Sequence, residues 1–213
     1  MFKYRTVSSR SRVKIAVGAC RFICSLSPGE TEEEANAFIN LVKEELPGAT
    51  HHAYAYRLGL GEKLLARFSD DGEPALTAGP PMLGVLEKEA LTNVVLVGTR
   101  YFGGVKLGIG GLVRAYRSCA LAGVREALIC EKELQTDFKI RVPYDYLGGV
   151  MKEIEAREGK VLDFIYRQDV QISGRVPLRE KKTLISRVID VSRGAAVMYT
   201  DEINENSGES AGG

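Results

Sequence analysis

Nowhere in this 213-residue chain is there an apolar run long enough to cross a bilayer, and Met1-Phe2-Lys3-Tyr4-Arg5 has no apolar core behind its charges. Those absences point to a cytoplasmic protein without membrane association. The four cysteines, Cys20, Cys24, Cys119 and Cys130, form no C-x-x-C pair, and neither histidine stands at metal-finger spacing. They read as buried apolar thiols rather than ligands or disulfides. Nucleotide fingerprints are missing as well. A P-loop needs Lys and then Ser or Thr after its last glycine, but Leu112 follows Gly111. A dinucleotide fold needs a third glycine where Val113 stands. No nucleophile elbow or catalytic cysteine context occurs, which argues against serine or cysteine hydrolysis. No cofactor is indicated by any of these patterns.

One further absence is local. From Ala90 to Arg125 the chain has no Asp or Glu, while Arg100, Lys106, Arg114, Arg117 and Arg125 are basic. Within that span Asn93 to Gly98 reads as a buried strand, a loop follows, and Leu112 to Leu128 reads as a helix. The loop, RYFGGVKLGIGG, holds Gly103, Gly104, Gly108, Gly110 and Gly111. Such a loop lets a strand-to-helix turn pack closely, or lets exposed amides and the positive end of a helix dipole receive an anion. At about 100° per residue Leu112, Tyr116, Cys119, Ala120, Gly123 and Ala127 share one helix face. Arg114, Arg117 and Arg125 gather on the opposite one. An exposed face normally mixes signs, so an all-basic one points to an anionic partner.

Charge is uneven at the ends too. The first 29 residues carry Lys3, Arg5, Arg10, Arg12, Lys14 and Arg21 without an acid; the last 13 carry Asp201, Glu202, Glu205 and Glu209 without a base.

Read in order, Phe2 to Ser8 and Val13 to Leu26 suggest strands or a hairpin stopped by Ser27-Pro28-Gly29. Thr31 with Glu34 makes a capping box, and Ala35, Phe38, Ile39, Val42 and Leu46 form the apolar face of the helix behind it. Thr50 to Leu58 alternates as a strand, so His51 and His52 point to opposite faces and cannot clamp one metal. Leu64 to Phe68 is a short strand running into Asp70-Asp71-Gly72-Glu73-Pro74, an acidic turn. Its three carboxylates could hold Mg²⁺, serve as general acid and base, cap the following segment, or lie solvated. A helix led by Pro80-Pro81 follows, with Met82, Val85 and Leu86 inward.

Past Leu128 the pattern restarts. Strands at Leu134 to Val142, Val161 to Tyr166, Val170 to Val176 and Ala195 to Ile203 alternate with helices at Tyr146 to Glu158 and Leu178 to Val191. The order β-α-β-β-α-β is that of a ferredoxin-like unit. The fold class expected is α+β in two domains, residues 1–132 and 133–203, joined near Glu131-Lys132-Glu133, with 204–213 a disordered tail.

Three segments in this order and spacing, Arg67-Phe68-Ser69-Asp70-Asp71-Gly72-Glu73-Pro74, Thr77-Ala78-Gly79 and Thr99 to Tyr116, closely resemble the IMPACT/YigZ family. Two positions depart from it: the family usually has Ser-Gly where this chain has Ala75-Leu76, and a basic residue is common where Pro80 stands. The resemblance implies an N-terminal α/β sandwich like the second domain of the small-subunit ribosomal protein S-five. It also implies a C-terminal domain like the last domain of elongation factor G. The eukaryotic relative of the family is a regulator of translation that binds a protein partner upstream of a starvation-responsive kinase.

Two functions from different classes follow. In the first the chain is a non-catalytic binding protein that engages RNA, the ribosome or a translation-associated protein. Its contacts are Arg100, Lys106, Arg114 and Arg117, the amides of Gly103, Gly104, Gly110 and Gly111, and the rings of Tyr101 and Phe102. In the second it is a phosphate or nucleotide enzyme, with Asp70, Asp71 and Glu73 holding Mg²⁺ opposite Lys106. A third arrangement uses no ligand: Asp70 or Glu73 pairs with Arg100 or Arg114 as an internal clamp.

Overall fold

The computed structural model describes residues 2–200 and divides the chain into two compact units, Tyr4–Lys132 and the residues from Glu133 on, the latter taking in the extreme amino terminus. The expected tail at 204–213 lies outside the described residues.

The first unit is built on a five-stranded antiparallel sheet. In chain order its strands are β2 (Ser11–Val17), β3 (Cys20–Pro28), β4 (His51–Leu58), β5 (Leu65–Ser69) and β6 (Val94–Tyr101). The order across the sheet is β2-β3-β6-β4-β5. A separate strand, β1 (Lys3–Val7), pairs with β7 (Ile129–Glu133) in a two-stranded ribbon.

Helix α1 (Glu32–Glu45) covers one face of the large sheet. The capping box forms: Thr31 Oγ1 accepts from the Glu34 amide at 3.2 Å, and Glu34 Oε2 reaches back to the Glu30 amide at 2.7 Å. Its inward residues Ala35, Phe38, Ile39 and Val42 pack on Tyr56, Leu58, Val95 and Val97. Helices α2 (Gly79–Lys88) and α3 (Gly108–Glu126) cover the other face, where Met82, Leu86, Leu112, Tyr116 and Cys119 meet Phe22, Cys24, Leu26, Ala53 and Leu96. Strand β6 is apolar at consecutive positions, Val94 to Val97, because it is the middle strand and is buried from both sides.

The second unit has the ferredoxin-like order. Strands β8 (Gln135–Val142), β9 (Lys160–Tyr166), β10 (Val170–Pro177) and β11 (Val197–Thr200) lie as β11-β8-β10-β9, all antiparallel. Helices α4 (Tyr144–Glu155) and α5 (Lys181–Val191) supply Val150, Ile154, Leu184 and Val188 to a core with Phe138, Ile140 and Ile172. Among the described residues no helix is long and apolar enough to cross a membrane.

Candidate functional site

The site lies where β6 ends and α3 begins. The strand does not stop at Gly98, as the sequence suggests, but runs to Tyr101, so Arg100 and Tyr101 are strand residues with side chains on opposite faces. Arg100 therefore turns inward. Its Nη1 donates to Glu73 Oε1 at 2.8 Å and Oε2 at 2.9 Å, and its Nη2 lies 3.5 Å from Cys20 Sγ. Only 6% of Arg100 and 7% of Glu73 remain exposed. Tyr116, from the inner face of α3, donates its hydroxyl to the same Glu73 Oε1 at 2.8 Å. On the other side His51 Nε2 stands 3.9 Å from Glu73 Oε2.

This cluster is an internal charge pair with its hydrogen bonds largely filled. Burial and the negative carboxylate of Glu73 both push the Tyr116 phenol far above its ordinary value, which keeps it a neutral donor. Burial by itself would lower the Arg100 pKa, but its hydrogen bond to Glu73 and the opposite charge outweigh that and raise it. The guanidinium also lies over two rings, 5.9 Å from the Phe22 centroid and 5.5 Å from that of Phe102. Arg100 is thus corrected from an anion-facing residue to one half of an ion pair, and Glu73 is its other half.

The remaining carboxylates of the acidic turn are engaged elsewhere. Asp70 Oδ1 accepts from the amides of Ala78 (2.9 Å) and Gly79 (2.8 Å), and Oδ2 from that of Leu76 (2.7 Å), so it closes the turn onto the start of α2. Asp71 Oδ2 accepts from the His52 amide at 2.6 Å, Oδ1 is 3.5 Å from Lys43 Nζ, and its carbonyl oxygen meets His51 Nδ1 at 2.7 Å. Three acids that stand together in sequence serve three different partners. Among the described residues no three His, Cys, Asp or Glu side chains gather as a metal-binding set.

Beyond Tyr101 the glycine loop rests on the β2–β3 turn. A side chain at Gly103 would stand 1.9 Å from the Ala19 carbonyl oxygen, so only glycine permits this approach. Gly104 and Gly108 take positive φ. Helix α3 then starts at Gly108, four residues before the sequence-based start at Leu112, which places Gly110 and Gly111 in its first turn. Phe102, Val105 and Ile109 are 46%, 64% and 70% exposed. Lys106, Arg114, Arg117 and Arg125 are exposed on the same loop and helix. None of these four cations meets a carboxylate within 4.0 Å among the described residues.

Sequence reading missed Tyr116, His51 and Cys20 as parts of the cluster. Spacing puts Tyr116 on the inward face of its helix, but only the fold brings that face against an acid.

An Impact N-terminal domain model matches residues 19–124, and an elongation factor G C-terminus model matches 134–204. The IMPACT family member YvyE of Bacillus subtilis is 33% identical over 203 residues, covering 95% of this chain and 93% of its own. The chain belongs to the IMPACT family. YigZ of Escherichia coli is 34% identical, with 85% of this chain and 90% of its own covered. A family member of Thermus thermophilus is 39% identical over 82% and 94% of the two chains. Proteins named IMPACT in animals match a shorter part; that of Danio rerio is 37% identical over 87 residues, 39% of this chain and 27% of its own. A crystal structure titled only as a hypothetical protein superposes with a TM-score of 0.75 at 31% identity, covering 93% of this chain and 97% of the other.

One departure from the family acquires a structural meaning. Leu76, at the position where the resemblance implies glycine, sits at φ 63° and is 63% exposed. The left-handed conformation that glycine adopts freely is kept here by a leucine, at a cost on the order of 1 kcal/mol.

Proposed function

We propose that this IMPACT family member is a non-catalytic RNA-binding protein of the translation apparatus, reading phosphates through Lys106, Arg114 and Arg117. The observation that carries this reading is the contrast between these three exposed cations and Arg100, whose charge Glu73 neutralises inside the fold. Nothing in the acid-free span offsets the three internally, so an external polyanion is their natural counter-charge. Half-exposed Phe102 beside them adds a ring on which an unpaired base can stack. The amides of Gly110 and Gly111 open the first turn of α3, where the helix dipole also favours an anion.

The alternative, Mg²⁺-assisted phosphate chemistry, is weaker on these grounds. It needs Asp70, Asp71 and Glu73 to converge on one ion, and each is spent on a different neighbour.

The test is binding of the purified chain to ribosomes and to short RNA over a salt series. Binding that weakens steeply with salt, and that Lys106→Ala/Arg114→Ala/Arg117→Ala abolishes in a folded protein, is the expected result. Failure to bind either at low salt would overturn the proposal.

A further inference from the structure

The basic residues of the amino-terminal stretch have no role in the cluster described above, yet the fold carries two of them to the edge of the same loop. Strand β2 pairs with β3 so that Lys14 stands opposite Ile23, and Ala16 opposite Arg21. Strand β3 in turn sets Ile23 opposite Thr99, and Arg21 opposite Tyr101. Registered partners point to the same side of a sheet. Lys14, Arg21 and Tyr101 therefore share the face away from α3, on which α1 packs chiefly over β4 and β6. Arg12 on this face is taken by Glu45. Lys14 and Arg21 are exposed and meet no carboxylate among the described residues, and the Arg21 guanidinium lies 4.2 Å from the centre of the Tyr101 ring. That contact holds the guanidinium against the ring while leaving N–H groups free to donate.

The turn joining these two strands is the one on which the glycine loop rests. Gly103 abuts the Ala19 carbonyl, and Gly18 faces Leu107, with a side chain at Gly18 coming 3.5 Å from Leu107 Cδ2. Lys106 thus sits in a loop packed on the hairpin, with Phe102 directly after Tyr101 in the chain.

We infer that Lys14, Arg21 and Tyr101 of the β2–β3–β6 edge form a second phosphate-binding strip for single-stranded RNA, continuing the surface of Lys106, Arg114 and Arg117 around the end of the sheet. This rests on the reading of the glycine loop as an RNA surface. The two strips lie on opposite faces of one sheet end, so a flexible strand can bend from one to the other where a stiff duplex cannot. Rings at Tyr101 and Phe102 favour unpaired bases for the same reason.

The test is fluorescence anisotropy of a labelled uridine oligomer of about 15 nucleotides, the scale of one compact single-strand site, with the full chain over a salt series. Each phosphate neutralised on a single strand contributes about 0.7 to the slope of log K against log salt. Lys14→Ala/Arg21→Ala should lower that slope by about 1.4, so that the loss of affinity between roughly 50 and 200 mM salt shrinks about sevenfold. Arg21→Lys should keep the slope but weaken binding, because the planar fork of donors against the Tyr101 ring is lost. An unchanged slope in Lys14→Ala/Arg21→Ala, while Lys106→Ala/Arg114→Ala/Arg117→Ala still lowers it, would overturn the second strip and leave the first intact. No binding by the unaltered chain would overturn both. Tighter binding of a duplex of equal length would overturn the assignment to single strands.

Discussion

Arg100 and Arg114 come from one acid-free stretch, fourteen positions apart, and end in opposite environments. The first is buried against Glu73 and Tyr116 and holds the end of β6 to the turn before α2; the second is exposed on α3 and meets no carboxylate among the described residues. A run of basic residues is thus two devices, one that fixes the fold and one left over for a partner. What separates them is the parity of the strand and the phase of the helix. Arg100 shares its side of β6 with Gly98, which faces Met82 and Tyr116, whereas Arg114 lies across its helix from Leu112 and Tyr116.

The contrast between the two arginines depends most on Glu73. Glu73→Ala leaves the Arg100 charge buried without a partner, and removing one member of such a pair costs about 3–5 kcal/mol. Urea unfolding followed by circular dichroism checks this; a loss below about 1 kcal/mol would mean that Arg100 escapes to solvent. Tyr116→Phe removes one donor to an ionised acceptor and is expected to lose about 1.5–3 kcal/mol in the same assay. Leu76→Gly works in the opposite direction. Relief of the left-handed strain, partly offset by the added freedom of the unfolded chain, should raise stability by up to about 1 kcal/mol. A fall would show that the exposed leucine makes a contact worth more than its strain.

The smallest effect concerns pH. Burial lowers the His52 pKa in the folded state, only partly countered by Asp71. The unfolded chain therefore binds more protons than the folded one near the ordinary histidine value of about 6.5, so stability falls as pH drops through that range. Thermal unfolding between about pH 7.5 and 5.5 should show this slope, and His52→Gln should flatten it. An equal slope in the variant would assign the dependence to another group.

The sequence made the second unit legible almost entirely. Its strands and helices are separate periodic segments, and β-α-β-β-α-β allowed few alternatives. Boundaries moved where local signals were weak: α4 starts at Tyr144 rather than Tyr146, and a short 3₁₀ turn at Leu178–Glu180 precedes α5. In the first unit the capping box at Thr31, the split of His51 from His52 and the inward face of α3 could all be read from spacing. The fate of Arg100 could not. It depends on β6 continuing past Gly98 and on Glu73 arriving from a turn 27 residues earlier, a pairing that no local pattern encodes. The resemblance marked both segments as distinctive, but a clamp and a ligand site leave the same trace in one sequence.

The most direct measurement sets the two arginines against each other in one RNA salt titration. Arg114→Ala is compared with Arg100→Gln/Glu73→Gln, which removes the buried charges together and keeps an acceptor for Tyr116. Arg114→Ala is expected to lower the slope of log K against log salt by about 0.7, whereas the double substitution leaves it unchanged. An unchanged slope for Arg114→Ala, or a lowered one for the buried pair, would contradict the division of labour between them.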